Sequence, residues 1–256
     1  MDQAAGLRRM LATPQPRRIT ILSAMDSPWR NLMLDNLCAG FAHAGCMCLL
    51  VDARRHPRMG AHLGLVRKPA LVDVLKGGKP ASQAIHALDS GYAFAALHGG
   101  HYLAGRQGSL DERLCDLFDV LSQRYDSLIV DAELDEKDEL PVSALENSRL
   151  VVHVGPDAES IKQAYALVKR LATSLGRRRF DVLVSGTEEA RARLIYANLA
   201  RTASRYLAVT LQDMGSVPPD EHVGRAARLG RPVIDAYPLA QASVAIRRIA
   251  GQLSIS

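Results

Sequence analysis

The chain has 256 residues, 48% of them hydrophobic and 23% charged, with a net charge of +5 and four cysteines. That is enough to bury one sizeable core without a second domain. It contains no charged-then-apolar leader and no apolar run near the roughly 20 residues a bilayer span requires, so neither secretion nor membrane insertion is expected and the cytoplasm is the default location.

Residues 1–12 come first, cut off from the rest of the chain by Thr13-Pro14-Gln15-Pro16, an extended linker at 13–16 by composition. Ala4, Leu7 and Leu11 fall on one helical stripe with Met10 beside it, and Asp2 stands at the dipole-favoured start. The segment is too short to hold a helix alone and contains Gly6, so it is expected to order on a partner.

The globular body, 17–256, opens with RRITIL (Arg17 to Leu22), a buried-strand pattern covering about 18–23. Ser23 to Asn31, SAMDSPWRN, leads into helical spacing over 29–44. After Gly45, CMCLLV at 46–51 reads as a second buried strand that delivers Asp52 at its C-terminal end, where α/β folds place their chemistry. Cys38, Cys46, Cys48 and Cys115 lack paired C-x-x-C spacing and read as buried free thiols. His98-Gly-Gly-His101 reads as a surface loop without further metal ligands.

Farther along, YDSLIVD (Tyr125 to Asp131) is an apolar strand ending in an acid, and the six acids from Asp131 to Glu139 read as a solvated loop. Helical stretches at 109–124, 157–175, 187–205 and 239–253 alternate with strands near 92–97, 127–131, 149–154, 180–185 and 207–211. The alternation predicts a single-domain α/β fold, a mostly parallel twisted sheet of seven or eight strands with helices on both faces. The arginine clusters at Arg8-Arg9, Arg17-Arg18, Arg54-Arg55 and Arg177-Arg178-Arg179 read as solvated ends and loops, and nucleic acid is not an expected partner. The last helix carries Ala242, Val244, Ala245, Ile246, Ile249 and Leu253 with Arg247-Arg248 opposite, a core face in preference to a membrane-binding one.

The opening strand, turn, helix and strand resemble the P-loop NTPase unit of the MinD/ParA family of deviant Walker ATPases, whose first strand runs into SGKGGVGKT. On that pattern Ser23 matches the family serine, Asp52 the first aspartate of D-x-D, and Asp131 the Walker B aspartate. Ala24, Asp26, Ser27 and Trp29 stand at the glycine positions and Met25 at the extra lysine. Arg30 stands at the phosphate lysine, Asn31 at the magnesium-binding threonine, and Arg54 at the second aspartate, which in the family positions the attacking water. Side chains at the glycine positions obstruct a backbone cradle, and Pro28 removes an N–H. Asp26 would face a polyphosphate at a cost of about 4 kcal/mol per charge pair at 4 Å. Arg30 alone could still pair with an anion.

MGSVPPD (Met214 to Asp220), Ala226 to Pro232 and YPLAQAS (Tyr237 to Ser243) resemble the tail of the family's FlhG (FleN) branch, in which the turn holding Pro218 lies near the adenine; an architectural turn is the alternative. The D-Q-A-x-x-L-R pattern of Asp2 to Arg8 resembles the N-terminal motif with which that branch docks on the signal-recognition-type GTPase FlhF and stimulates it. The resemblance therefore implies a regulator of flagellar number or placement that binds FlhF through Asp2, Gln3, Ala4, Leu7, Arg8 and Leu11, with Gln3 acting near the nucleotide. It is a GTPase activator and not itself a competent ATPase on this reading. Ser23, Arg30, Asn31, Asp52, Asp131 and Pro218 then outline a degenerate nucleotide site, with no cofactor expected. ATP with Mg²⁺ belongs to the alternative of a weak, atypical ATPase that dimerises on ATP, and a second alternative is a scaffold of another polar machine. Flagellar switch or basal-body proteins, or a flagellar transcription regulator, are the further partners implied, with polar or peripheral placement through them.

Overall fold

The computed structural model describes residues 17–25, 28–65, 68–99 and 108–255. The six docking residues from Asp2 to Leu11, together with Asp26, Ser27 and His101, lie outside the described residues. Strands β1 (Arg17–Ser23), β2 (Cys48–Asp52), β3 (His86–Ala87), β4 (Ala93–Ala96), β5 (Ser127–Ala132), β6 (Arg149–Val154), β7 (Phe180–Ser185) and β8 (Leu211–Val217) form one sheet in the order β3-β4-β2-β5-β1-β6-β7-β8. Every pairing is parallel except that of β3 with β4. This is the expected α/β architecture, with helices covering both faces of a parallel sheet.

The helices are α1 (Pro28–His43), α2 (Met59–His62), α3 (Leu71–Lys76), α4 (Gly108–Arg124), α5 (Ala158–Leu175), α6 (Glu189–Leu207), α7 (Glu221–Arg228), α8 (Val233–Ala236) and α9 (Gln241–Ile255). Alternation along β1 divides the core. Ile19 and Ile21 join α1 and α9 on one face, while Leu22 joins the apolar sides of α4, α5 and α6 on the other. Asp157 caps α5 by accepting from the Ser160 N–H at 2.8 Å. The last helix buries Ala242, Ala245, Ile246, Ile249 and Leu253 as expected, but Val244, expected with them, is exposed because it falls on the side of the helix turned away from the sheet.

Helix α1 is buried along nearly its whole length because the sheet lies on one side and α9 on the other. A Cβ on Gly40 would lie 2.9 Å from Ile246 Cγ2 and 3.3 Å from Ala250 Cβ, so this glycine sets how closely α1 and α9 cross. Asn36 ties the same helix to α8: its Oδ1 accepts from the Val233 N–H at 2.5 Å and its Nδ2 donates to the Leu32 carbonyl at 2.7 Å. Asn36→Leu is expected to cost about 1–3 kcal/mol, because it strands the buried Val233 N–H. A lowered denaturant midpoint with an unchanged m-value is the signature to measure.

Three sequence expectations need correction. The apolar run 207–211 is not a strand: α6 continues to Leu207, Ala208 ends it with φ of 51°, and β8 runs from Leu211 to Val217 with Gln212 and Asp213 exposed on the sheet edge. His98 is buried, where a surface loop was expected. The acidic stretch is tied down rather than solvated. Glu133 accepts from Arg54 and from the Arg55 N–H, Asp135 accepts from the N–H groups of Lys137 and Glu139, both at 2.8 Å, and Asp138 pairs with Arg170. Among the cysteines, Cys38 and Cys48 are buried and Cys46 and Cys115 partly exposed, all four as free thiols.

Candidate functional site

Parallel register sets the site. Asp52 and Asp131 are direct partners at the C-terminal ends of β2 and β5, and β5 is also the neighbour of β1, which leads to the Ser23 turn and α1. The frame thus brings Ser23, Arg30, Asn31, Asp52 and Asp131 to one end of the sheet, where α/β folds bind ligands.

Within that frame Arg30 turns inward. It is 2% exposed; its Nη1 donates to Asp131 Oδ1 at 3.1 Å and its Nη2 lies 3.1 Å from Oδ2, with Nη2 also reaching Asn31 Oδ1 at 3.3 Å. The carboxylate is completely buried, and burial pushes its pKa up, to about 7, against the opposing pull of Arg30. The position expected to offer a free cation therefore holds one already paired with a buried carboxylate, through one hydrogen bond and one further close contact, with Asp131 Oδ2 and Arg30 Nε left without a hydrogen bond among the described residues.

Asp52 is likewise engaged. Oδ1 accepts from the Arg54 N–H at 3.3 Å and Oδ2 from the Met59 N–H at 3.0 Å, so the carboxylate organises the loop after β2; burial raises its pKa and these N–H groups lower it. Arg54 extends to Glu133 Oε2 at 3.3 Å.

A second buried network was missed in the sequence. His153 on β6 bonds through Nδ1 to Ser23 Oγ at 3.0 Å and through Nε2 to Ser185 Oγ at 2.7 Å, and Trp29 Nε1 donates to the same Ser185 oxygen at 3.3 Å. Burial, with the charge of Arg30 adding to it, pushes the imidazole down to about 3, so it is neutral at physiological pH and joins two hydroxyls as one donor and one acceptor. The signal was available: a histidine inside the apolar run LVVHV needs partners, and serines end the strands on either side.

The turn after β1 makes no cradle in its described part. The Ala24 N–H donates to the His153 carbonyl at 2.8 Å and the Met25 N–H to Ser23 Oγ at 3.2 Å, so both are spent internally. Met25 lies over Gly155, where an added Cβ would be 3.0 Å from its Sδ and Cε. Pro28 opens α1 without an N–H. Pro218 is not brought into this cluster: it follows β8, three strands from β1, and lines a separate cleft of about 330 Å³ with Ser216, Leu239 and Val244. Asn31 instead borders a larger cleft of about 940 Å³ beside α1, shared with Asp35, His62 and Asp235.

No family model matches the chain. The antiactivator FleN of Pseudomonas aeruginosa is 28% identical over 218 residues, covering 84% of this chain and 78% of FleN. Similarity to an uncharacterized ATP-binding protein of Methanocaldococcus jannaschii extends over 240 residues at 26% identity, covering 92% and 86% of the two chains. The MinD cell division protein of Aquifex aeolicus superimposes with a TM-score of 0.68 at 20% identity, over 93% of this chain and 96% of MinD. The chain has the fold of the MinD/ParA proteins and is similar in sequence to FleN. The internally closed Arg30–Asp131 and Ser23–His153–Ser185 contacts occupy the end of the sheet at which β1 leads into α1. No helix among the described residues is long and apolar enough to cross a membrane.

Proposed function

We propose that the chain is a FlhG-like regulator of flagellar number or placement that works as a largely nucleotide-independent binding protein. In this reading it docks on an FlhF-like GTPase through residues 2–11 and stimulates GTP hydrolysis, with Gln3 reaching the partner's nucleotide. The observation that carries nucleotide independence is the Arg30–Asp131 pair: both terminal guanidinium nitrogens are within 3.1 Å of the aspartate that a metal-bound water would need. The spent N–H groups of Ala24 and Met25 support the same reading. The FleN likeness supports the flagellar assignment. It acts in the cytoplasm and reaches the pole or the inner membrane face through its partners, which include switch, basal-body or transcription-regulating proteins.

Retention of Asp52 and Asp131 at adjacent strand ends, and the ATP-binding relative, favour a second reading as an atypical ATPase that dimerises on ATP. Titration of the full chain with a fluorescent ATP analogue and Mg²⁺ separates the two. No saturable binding is expected; micromolar binding that disappears in Arg30→Ala overturns nucleotide independence. In parallel, the full chain is expected to accelerate FlhF GTP hydrolysis and Gln3→Ala to lose that effect. Equal stimulation by both proteins, or none by either, overturns the docking assignment.

A further inference from the structure

One side of α9 stays bare although the rest of the helix is buried. Val244 is 52% exposed, and Leu239, just before the helix, is 89% exposed. With Pro218 at the end of β8 they form the accessible apolar part of the cleft of about 330 Å³, which Glu188, Gln241 and Arg248 also border. Single exposed leucines are ordinary on a monomer, but apolar side chains gathered at one cleft mark a contact surface. The face lies three strands from β1, so it is separate from the Arg30–Asp131 pair.

Charge and spacing say what covers it. Glu188 precedes α6 without capping it, and among the described residues neither its carboxylate nor the Arg248 guanidinium has an ion-pair or hydrogen-bond partner. A surface carrying both signs around an apolar centre complements itself under a two-fold rotation, whereas a partner of one charge would leave half of it unpaired. The outward positions of α9 include Gln241, Val244, Arg248 and the half-exposed Gly251, at intervals of three, four and three, the spacing at which two helices meet along a seam. A Cβ at Gly251 would have no neighbour within 4 Å, so the space above it is open.

We propose that this face binds a second copy of the chain, in a two-fold dimer that forms without nucleotide. The two α9 helices lie antiparallel, with the axis at the level of Ile246. Val244 then meets the aliphatic stem of Arg248 of the second copy, whose guanidinium reaches Glu188, and Leu239 fills the open space above Gly251. Each contact occurs twice, as a two-fold interface requires, and both unpaired charges find opposite partners.

Sedimentation equilibrium of the full chain without nucleotide tests this. The average mass is expected to rise with concentration toward twice that of the chain, and Leu239→Glu, at a site too exposed to disturb folding, is expected to remain monomeric. Glu188→Arg and Arg248→Glu should each weaken dimerisation about tenfold or more, because each sets like charges against one another twice. The double variant Glu188→Arg, Arg248→Glu restores the pairing with its signs reversed and should recover the dimer, which a purely apolar contact does not predict. A chain monomeric at every concentration, a dimer indifferent to Leu239→Glu, or a double variant no better than the single ones overturns the proposal. So does a dimer that appears only with ATP and Mg²⁺, which belongs to the nucleotide-dependent alternative.

Discussion

Asp131→Leu is expected to destabilise the protein by about 3–5 kcal/mol, because it removes the carboxylate that both terminal nitrogens of a buried guanidinium reach. The pair itself is not thereby worth that much. Desolvating two charges offsets most of their attraction, so replacing both partners with apolar residues of similar volume is often neutral or stabilising. The double variant Arg30→Met, Asp131→Leu should therefore recover most of the loss, and a double-mutant cycle by denaturant unfolding measures the coupling. If the single and double variants are equally destabilised, the pair is not what holds this end of the sheet. On the proposed docking function, the double variant should stimulate FlhF as strongly as the unsubstituted chain, which separates the architectural use of this site from a nucleotide-dependent one.

The same pair predicts a pH dependence. The Asp131 carboxyl is raised from 3.8 to about 7 in the folded protein, so the native state binds more protons than the unfolded state between those values. Its stabilising contribution is fully present below the unfolded value and is lost as pH rises through about 7. Arg30→Met removes a cause that lowers the value, so the window should extend upward and the variant should lose more stability at pH 8 than at pH 6. Unfolding midpoints at the two pH values test the sign.

Gly40→Leu is the second large effect expected. With the added Cβ placed 2.9 Å from Ile246 and 3.3 Å from Ala250, the two helices must separate before the rest of the side chain is accommodated. Overpacking of this kind costs about 1–3 kcal/mol. Helix propensity acts in the opposite direction, since leucine gains a few tenths to about 1 kcal/mol over glycine. Packing wins because Gly40 is buried and the contacts are with a branched side chain and a second helix. Gly40→Ala is the graded case, and Ile246→Ala in the Gly40→Leu background should recover stability if the clash is the cause. Equal stability of Gly40→Leu and wild type would show that α9 is free to shift.

Much of this was legible because strand chemistry is local. The buried runs around Ile19, Leu49 and Ile129 announced their strands, and Asp52 and Asp131 announced the sheet end at which they stand. Arg30 was legible as a cation but not in its direction. Sequence offers it an external anion as readily as an internal one, and only the β1–β5 pairing puts Asp131 within reach across 101 residues. Strand β8 was misplaced because LAVTL has strand-like composition, whereas α6 claims Leu207 and the edge strand tolerates Gln212 and Asp213. His153 was passed over because an apolar run hides one polar residue unless its partners on neighbouring strands are sought.

The sheet order also dictates the sequence of events at the ribosome. Strand β1 has neighbours only in β5 and β6, so Arg17 waits for Ser127 and Ile19 for Arg149, while the Gly40 face of α1 waits for the last helix. At roughly 5–20 residues per second, about 100 residues of synthesis leave β1 unpaired for on the order of 5–20 s. During that interval an apolar strand and a helix destined to be buried along most of its length form part of a nascent chain without their core, a demand on chaperones set by topology.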